Sequence, residues 1–150
     1  MRIVLQRVLR AEVIVEGRSV GKIGKGIMVL LGVEPDDSDA DISWLAQKVV
    51  NMRIFDDENG VMNRSVQDVE GEILVVSQFT LHASTRKGNR PSYIRAAKGD
   101  VAEPMYEKFM AEIEMLTSQK PQCGLFGADM KCELVNDGPV TIIIDTKLKE

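Results

Sequence analysis

The chain has 150 residues, which is the length of one domain. Its net charge of −4, with 44% hydrophobic and 28% charged residues, excludes a generally polybasic protein and is typical of a globular domain. No apolar run reaches the roughly 20 residues of a membrane span, and arginines interrupt the first apolar stretch, so we expect no signal peptide. The expectation is a single soluble, cytoplasmic domain over residues 1–150 with no membrane partner.

Cysteine and histidine are too few for most metal sites. Cys123 and Cys132 lie nine residues apart with no histidine near them, so they predict neither a metal site nor a disulfide framework. His82 is the one histidine, which excludes a three-histidine zinc site and an H-E-x-x-H helix. The sequence also lacks the glycine motifs of P-loop and dinucleotide-binding proteins. We therefore expect no metal and no cofactor.

Alternating apolar residues predict three strands at the start of the chain. A long strand over residues 2–16 is followed by a turn at Gly17-Arg18 and a short strand over Val20–Ile23. The unbroken apolar run Ile27–Val33 is typical of a strand that is buried on both faces.

The next segment predicts a helix and a hairpin. Apolar residues at three- and four-residue steps predict a helix over residues 39–52, with Ser38 or Asp39 as its N-cap. Beyond this helix, Arg53–Asp56 and Val61–Asn63 flank the sequence DENG, which is typical of a hairpin turn.

A further strand and a second helix follow. Ile73–Thr80 predicts the strand, and residues 100–118 predict the helix. Asp100 and Glu103 have the spacing of a capping box, which places the start of this helix.

The last third of the chain predicts strands again. Asp129–Val135 alternates as a half-buried strand does, which makes Cys132 a small core residue, and Val140–Ile144 is a final strand after a turn at Asn136–Pro139. Six or more strands with two main helices and short hairpins predict an α+β domain with a mainly antiparallel, barrel-like sheet. A parallel sheet would need more helices between its strands.

Polar groups at the end of the strand Ile73–Thr80 mark the first candidate site. Ser77, Gln78 and Thr80 either form a site there or only satisfy backbone groups where the strand meets a loop. If the strand continues past Thr80, alternation places Ser77 and His82 on opposite faces, which disfavours a serine–histidine pair. It places Thr80 and His82 on one face, but no carboxylate is near in sequence to orient the imidazole.

The segment from Ile73 to Gly99 is basic and contains no acidic residue. A basic segment in an acidic chain favours a polyanionic ligand, because phosphates attract lysine and arginine whatever the base sequence. A solvated loop is the alternative. The charge of +5 comes from Arg86, Lys87, Arg90, Arg95 and Lys98.

The turn sequence Asp137-Gly138-Pro139 is the third candidate. A Gly-Pro peptide bond can be cis, and a cis bond in a tight turn points two successive carbonyl oxygens in similar directions. Two such oxygens can accept hydrogen bonds from an ammonium group. An ordinary hairpin turn is the alternative.

These segments, in this order, resemble the D-aminoacyl-tRNA deacylases, also called D-tyrosyl-tRNA deacylases. The resemblance covers roughly Met1 to Asp145, and both SQFTL and NDGPVT, the signatures of that family, are intact. The motifs that carry it are QRVLRAEV (Gln6 to Val13), VLLGV (Val29 to Val33), RIF (Arg53 to Phe55), MN (Met62 and Asn63), LVVSQFTL (Leu74 to Leu81), GNRPS (Gly88 to Ser92), FGADM (Phe126 to Met130) and LVNDGPVT (Leu134 to Thr141).

The resemblance implies an esterase that removes D-amino acids from the terminal ribose of tRNA. It implies chiral proofreading by rejection of L-aminoacyl esters. Since glycine has no side chain to reject, glycyl-tRNA is an expected second substrate. It also implies a homodimer with its active sites at the subunit interface.

The resemblance also implies a role for each candidate residue. The catalytic pocket for the terminal adenosine and the ester would be lined by Ser77, Gln78, Phe79 and Thr80. Substrate binding would involve a Gly138-Pro139 pair from the partner subunit, Arg7 as its brace, and Met130 and Phe126. The tRNA contacts are expected at Arg86, Lys87 and Arg90.

No residue in the chain is a convincing general base, so the mechanism is a hypothesis. Backbone N–H groups near Phe79 and Thr80 would form an oxyanion hole, and the ribose hydroxyl beside the ester would assist a water molecule. His82 belongs to no motif of the family. Two other functions stay open: a non-catalytic tRNA-binding module, similar to the proofreading domain of some threonyl-tRNA synthetases, and a generic serine esterase.

Overall fold

The computed structural model of the chain describes residues 1–149. In this part of the chain there are eight strands and two α-helices, and a 3₁₀ turn over Phe79–His82 follows the sixth strand. The strands are β1 (Arg2–Val15), β2 (Arg18–Ile23), β3 (Gly26–Gly32), β4 (Phe55–Asp56), β5 (Met62–Arg64), β6 (Glu72–Ser77), β7 (Gln122–Cys123) and β8 (Lys131–Asp145), and the helices are α1 (Asp39–Asn51) and α2 (Gly99–Thr117).

Six of the strands form one sheet that nearly closes on itself. Its order is β2-β1-β3-β6-β7, and β8 pairs with β1. Because β1 is long, β3 pairs with its first half and β2 with its second half, while β8 runs along almost its whole length. At the far end, Gly21 of β2 lies against the carbonyl oxygen of Cys123 in β7, with no room for a side chain. This contact brings the two ends of the sheet together.

The sheet is mixed, because it contains parallel as well as antiparallel pairs. β1 is antiparallel to β2, β3 and β8, whereas β3–β6 and β6–β7 are parallel pairs. α1 lies in the connection from β3 to β6, and α2 lies in the connection from β6 to β7. The predicted α+β class, with a barrel-like sheet and two main helices, is confirmed. The sheet is mainly antiparallel, with three antiparallel pairs, and its two parallel pairs were not predicted; each helix serves as the crossover for one of them.

The core lies on both faces of β3, as its unbroken apolar sequence predicts. Ile27, Val29 and Leu31 are buried in a large cluster with the apolar faces of both helices. Met28 is buried in a smaller cluster with side chains of β1, β2 and β6. β3 and its parallel neighbour β6 therefore form the buried centre of the molecule.

Both helices begin within one residue of their predicted starts, but the predicted N-terminal cap is confirmed for only one of them. The Ser38 hydroxyl accepts the backbone N–H of Asp41, whose carboxylate in turn accepts the N–H of Ser38 at 2.9 Å, a complete capping box for α1. α2 begins at Gly99 after Lys98, with no side-chain cap. Asp100 therefore lies inside the helix, where its spacing to Glu103 cannot close a capping box.

The DENG hairpin is confirmed. β4 and β5 are antiparallel, and Gly60 completes the turn with φ +74°. The Asp57 carboxylate accepts the N–H groups of Val61 at 3.0 Å and Asn59 at 2.9 Å, and these hydrogen bonds lower its pKa.

The last third of the chain differs most from its prediction. The expected turn at Asn136–Pro139 is an irregularity within the single strand β8, which pairs with β1 on both sides of it. Cys132 is exposed and is not a core residue. Alternation along the strand predicted a covered face, but Cys132 lines an open cavity and so stays accessible.

Candidate active site

A cavity of about 450 Å³ lies where β6 ends. Ser77, Gln78 and Phe79 line it from the end of this strand, while Phe126 and Met130 line it from the segment that leads into β8. The structure thus brings together five residues of the predicted site. A larger cavity, of about 600 Å³, is lined by residues between Val66 and Ile73 and between Ile113 and Gln122, and contains none of them.

The strand that carries these residues is shorter than predicted. β6 stops at Ser77, where the Gln78 N–H donates to the Leu31 carbonyl at 2.7 Å, and the 3₁₀ turn then takes over. Strand alternation therefore does not apply beyond Ser77, and the prediction that Thr80 and His82 share a strand face is wrong. The turn exposes more than half of the Phe79 side chain and leaves that of Thr80 half-buried.

The Thr80 hydroxyl has an amide for a neighbour. The Gln78 side-chain amide donates to Thr80 Oγ1. An amide N–H does not accept a proton, so it cannot act as the general base for this hydroxyl. At the start of the 3₁₀ turn the backbone N–H groups of Phe79 and Thr80 precede the first hydrogen bond of the turn, which runs from Leu81 N–H to the Gln78 carbonyl.

His82 is fully buried beneath the turn. Its Nδ1 lies 3.5 Å from Glu34 Oε1, and its Nε2 faces the backbone of Gly32. Neither ring nitrogen has a hydrogen-bond partner within residues 1–149. A carboxylate therefore does lie beside the imidazole, although sequence distance hid it. No hydroxyl of the described residues is hydrogen-bonded to Nε2, so this pair is not part of a catalytic triad there.

The Gly138-Pro139 segment lies away from the cavity of its own chain. Its peptide bond is cis, and both residues are exposed. Arg7, which is 7% exposed, lies beneath it: Nε donates to the Asp137 carbonyl at 3.0 Å and Nη1 donates to the Ile54 carbonyl at 2.6 Å. The guanidinium also forms ion pairs with Asp137 at 3.4 Å and Asp56 at 3.6 Å.

One wall of the cavity went unrecognised in the sequence. Ala97, Ala102 and Tyr106 line it from the approach to α2 and its first turns. The Tyr106 hydroxyl donates to the Val75 carbonyl at 2.9 Å, and burial, with Cys123 beside it, raises the pKa of this phenol. Tyr106 lies three residues before Phe109 on the apolar face of α2, a spacing that was available in the sequence.

The basic segment forms a tethered loop beside the cavity. Ser84 and Ser92 exchange two backbone hydrogen bonds of 2.9 Å, which closes the loop that carries Arg86, Lys87 and Arg90. These three side chains are exposed and form no ion pair within the described part of the chain. Arg95 differs, because its Nη2 pairs with Glu34 Oε1 at 2.8 Å. The loop therefore presents three uncompensated positive charges to solvent.

Residues 1–149 contain neither a cluster of metal-ligating side chains nor an α-helix suited to span a membrane. No three histidine, cysteine, aspartate or glutamate side chains of this region lie together as metal ligands would. Neither of its α-helices combines the length and the apolar character needed to cross a membrane.

Sequence comparison identifies relatives along the whole chain. A profile of the family described as D-Tyr-tRNA(Tyr) deacylase matches residues 4–145. Proteins named D-aminoacyl-tRNA deacylase from Parabacteroides distasonis and Flavobacterium johnsoniae are 61% and 60% identical over 150 residues, covering 100% of both chains in each pair.

Two solved structures have the same fold. The c-Myc DNA Unwinding Element Binding Protein has a TM-score of 0.92 and 40% identity, over 97% of this chain and 99% of that one. A structure described as a "probable eukaryotic D-amino acid tRNA deacylase" has a TM-score of 0.82 at 18% identity, over 95% of this chain and 97% of that one, and is alike in fold alone.

The fold and the cavity define the class of this protein, and the sequence matches show its family. The class is an α+β protein with a nearly closed mixed sheet and a cavity at the polar end of a central strand. Within this class, the chain belongs to the D-Tyr-tRNA(Tyr) deacylase family. The family expected from the motifs is confirmed.

Proposed function

We propose that this chain is a hydrolase that cleaves the ester bond between a D-amino acid and the terminal ribose of tRNA, and so releases both. The observation that carries the proposal is the match to the family over residues 4–145. Relatives named D-aminoacyl-tRNA deacylase are 53–61% identical to this chain. A cavity of about 450 Å³ has the size of a small-molecule site and suits one aminoacyl group with its adenosine.

Catalysis in this proposal depends on the backbone at the end of β6. When water attacks the ester carbonyl carbon, the N–H groups of Phe79 and Thr80 stabilise the negative charge that develops on the carbonyl oxygen, an effect worth about 10²–10³-fold per donor. The adjacent ribose hydroxyl assists the attacking water. The absence of a base at the Thr80 hydroxyl, within residues 1–149, supports a mechanism without an acyl-threonine intermediate. Ser77 and Gln78 shape the pocket.

Chiral selection in this proposal depends on a second copy of the chain. Gly138 and Pro139 are exposed and lie outside the cavity of their own chain, which supports a homodimer in which they complete the partner's site. There they would meet the substrate ammonium group and exclude an L side chain by steric contact. Glycyl-tRNA would escape this exclusion. Met130 and Phe126 enclose the substrate from the other wall.

The basic loop supplies the contacts to tRNA. Arg86, Lys87 and Arg90 are free to pair with phosphates, because they form no ion pair within residues 1–149. The proposal takes residues 1–150 as one domain that acts on tRNA in the cytoplasm, with no cofactor.

The test is deacylation of D-tyrosyl-tRNA, L-tyrosyl-tRNA and glycyl-tRNA by the purified protein, with and without a chelator. Rapid loss of the D-tyrosyl and glycyl esters, with the L-tyrosyl ester spared in both conditions, is the expected result. Equal loss of the D and L esters would leave an esterase without chiral selection. Stoichiometric protection of the esters, without turnover, would instead identify a binding module.

A further inference from the structure

Large apolar side chains are exposed beside the cavity. Phe79, Tyr93 and Ile94 are 55%, 39% and 88% exposed. Phe79 lines the cavity, whereas Tyr93 and Ile94 follow directly after the basic loop and do not line the cavity. Exposed apolar groups that are adjacent to one another mark binding surfaces more often than isolated ones do.

The two aromatic rings meet edge to face. Their centroids are 5.1 Å apart and their planes are inclined by 74°. In this arrangement the edge of one ring contacts one face of the other. Both faces of the first ring and the opposite face of the second are therefore not covered by this contact. Planar surface therefore stays available for a third ring.

The backbone around Tyr93 is fixed on both sides. Before it, Ser92 exchanges hydrogen bonds of 2.9 Å with Ser84. After it, Arg95 pairs with the buried carboxylate of Glu34, and the Ala97 N–H donates to the Val33 carbonyl at 2.9 Å. A ring on a tethered segment loses little conformational freedom when a ligand covers it.

The charge of the surroundings selects the kind of ligand. Arg86, Lys87 and Arg90 lie on the loop that directly precedes Tyr93 and form no ion pair within residues 1–149. Positive charge that follows a backbone, together with aromatic rings that stack on bases, is the combination with which proteins bind single-stranded nucleic acid. An apolar protein partner would not need the cations.

We infer that Tyr93, held against Phe79, is a stacking surface for the base of the nucleotide that precedes the terminal adenosine in the single-stranded 3′ end of tRNA. A strand that leaves the cavity past Phe79 meets Tyr93 next, because the two rings touch. The inference rests on the proposed function, since it assumes that the terminal adenosine occupies the cavity. Tyr93 acts by binding and positioning and takes no part in the chemical step.

The experiment is a cycle of two changes, one in the protein and one in the RNA. D-tyrosyl-tRNA with an intact or an abasic penultimate nucleotide is deacylated by the wild-type protein and by Tyr93→Ala. Because stacking of a base on an aromatic ring contributes substantially to binding, either change alone should raise KM about 5- to 100-fold. The value of kcat should stay within about threefold of that of the wild-type protein with intact RNA. Both changes together should raise KM no further than one alone, because they remove the same contact.

Matched variants separate stacking from general damage. Tyr93→Phe keeps the ring and should restore the wild-type KM. Met115→Ala removes an equally apolar exposed side chain from α2 and should leave KM unchanged. The comparison of intact and abasic RNA with the wild-type protein needs no variant, so equal KM values for the two RNAs would overturn the inference even where Tyr93→Ala does not fold.

Binding of an uncharged RNA oligonucleotide with the tRNA 3′ sequence separates the two proposals. If the wild-type protein binds this RNA more weakly when the penultimate base is missing, but hydrolyses no ester, stacking holds and the proposed activity fails. If it hydrolyses the ester and neither change affects KM, the stacking inference is overturned. It is also overturned if Tyr93→Ala changes the oligomeric state in sedimentation while the abasic RNA behaves as the intact RNA does, because the surface is then a contact between copies.

Discussion

Arg7 holds three segments of the chain at one point. Its guanidinium donates to the carbonyls of Asp137 and Ile54 and pairs with the carboxylates of Asp137 and Asp56. The strand β1, the hairpin after α1 and the Gly138-Pro139 segment are therefore fixed relative to one another. A planar fork with several donors can do this, whereas a single ammonium group cannot.

Arg7→Lys should weaken both the fold and chiral selection. The lysine keeps the charge but cannot satisfy both carbonyls, so the free energy of unfolding should fall by about 1–3 kcal/mol. The ratio of kcat/KM for L- over D-tyrosyl-tRNA should rise, because the Gly138-Pro139 segment is no longer braced. Urea unfolding and the deacylation assay measure the two effects. Arg10→Lys, an exposed change on the same strand, is the control. Loss of stability with an unchanged ratio would contradict the bracing role.

Thr80→Ala should keep most of the activity. Its hydroxyl accepts a hydrogen bond from the Gln78 amide and has no base beside it within residues 1–149, so its loss should lower kcat by less than about tenfold. Single-turnover deacylation of D-tyrosyl-tRNA measures the effect, and Thr85→Ala, an exposed hydroxyl of the basic loop, is the control. A fall of several thousandfold would restore a mechanism through the threonine side chain.

Cationic side chains that are close in sequence, in and beside the basic loop, differ in whether they form an ion pair. Arg95 pairs with Glu34, which is 8% exposed, while Arg86, Lys87 and Arg90 extend into solvent. The first fixes the loop to the end of β3, and the others are available to a ligand. A charge count along the sequence treats all four alike.

Removal of the free cations should affect tRNA binding alone. Replacing Arg86, Lys87 and Arg90 by glutamine should flatten the plot of log Kd against log salt concentration by about 2–3 units, since each lost phosphate contact contributes about 0.7–0.9. Thermal stability should not change. Filter binding of tRNA at several salt concentrations and thermal unfolding measure these outcomes.

Arg95→Gln should give the opposite pattern. It leaves the Glu34 carboxylate without its cation and should lower the free energy of unfolding by about 1–2 kcal/mol, with a smaller change in the salt slope. Equal behaviour of Arg95→Gln and the triple variant in both measurements would show that the loop cations are not divided in this way.

At the scale of the whole molecule, β1 and β8 join the two ends of the described chain. The Arg2 guanidinium binds the Asp145 carboxylate through Nε and Nη2, both at 2.8 Å, and the Lys147 N–H donates to the same carboxylate at 2.8 Å. Burial opposes ionisation of Asp145, but these hydrogen bonds and the Arg2 charge outweigh it and lower its pKa.

Stability should therefore fall in acid as this carboxylate is protonated. A carboxyl whose pKa is lower in the folded than in the unfolded chain contributes stability above the unfolded value, which is 3.8 for aspartate, and loses it as the pH falls through the folded value. Asp145→Asn should lower the free energy of unfolding at pH 6 and make it less dependent on pH between 5 and 3. Urea unfolding across this range measures the effect. Asp129→Asn, an exposed carboxylate that contacts Lys131, is the control, and parallel curves for Asp145→Asn and the wild-type protein would contradict the prediction.

Local sequence determined most of the elements. The capping box at Ser38, the DENG hairpin and the doubly buried β3 follow from residues within four or five positions of one another, and all three are present in the structure. The motifs also determined the family, because their order along the chain does not depend on contacts. Ser77, Gln78 and Phe79, which line the cavity, belong to one of these motifs and could be identified from the sequence for the same reason.

The tertiary structure determined which residues are covered by segments that are distant in sequence. Three features depend on segments that are distant in sequence. They are the residue at which β6 ends, the burial of His82 beside Glu34, and the exposure of Cys132. Parallel pairing depends in the same way on where α1 and α2 cross the sheet. A strand or helix pattern records which side chains prefer burial, whereas the fold alone determines which partner provides it.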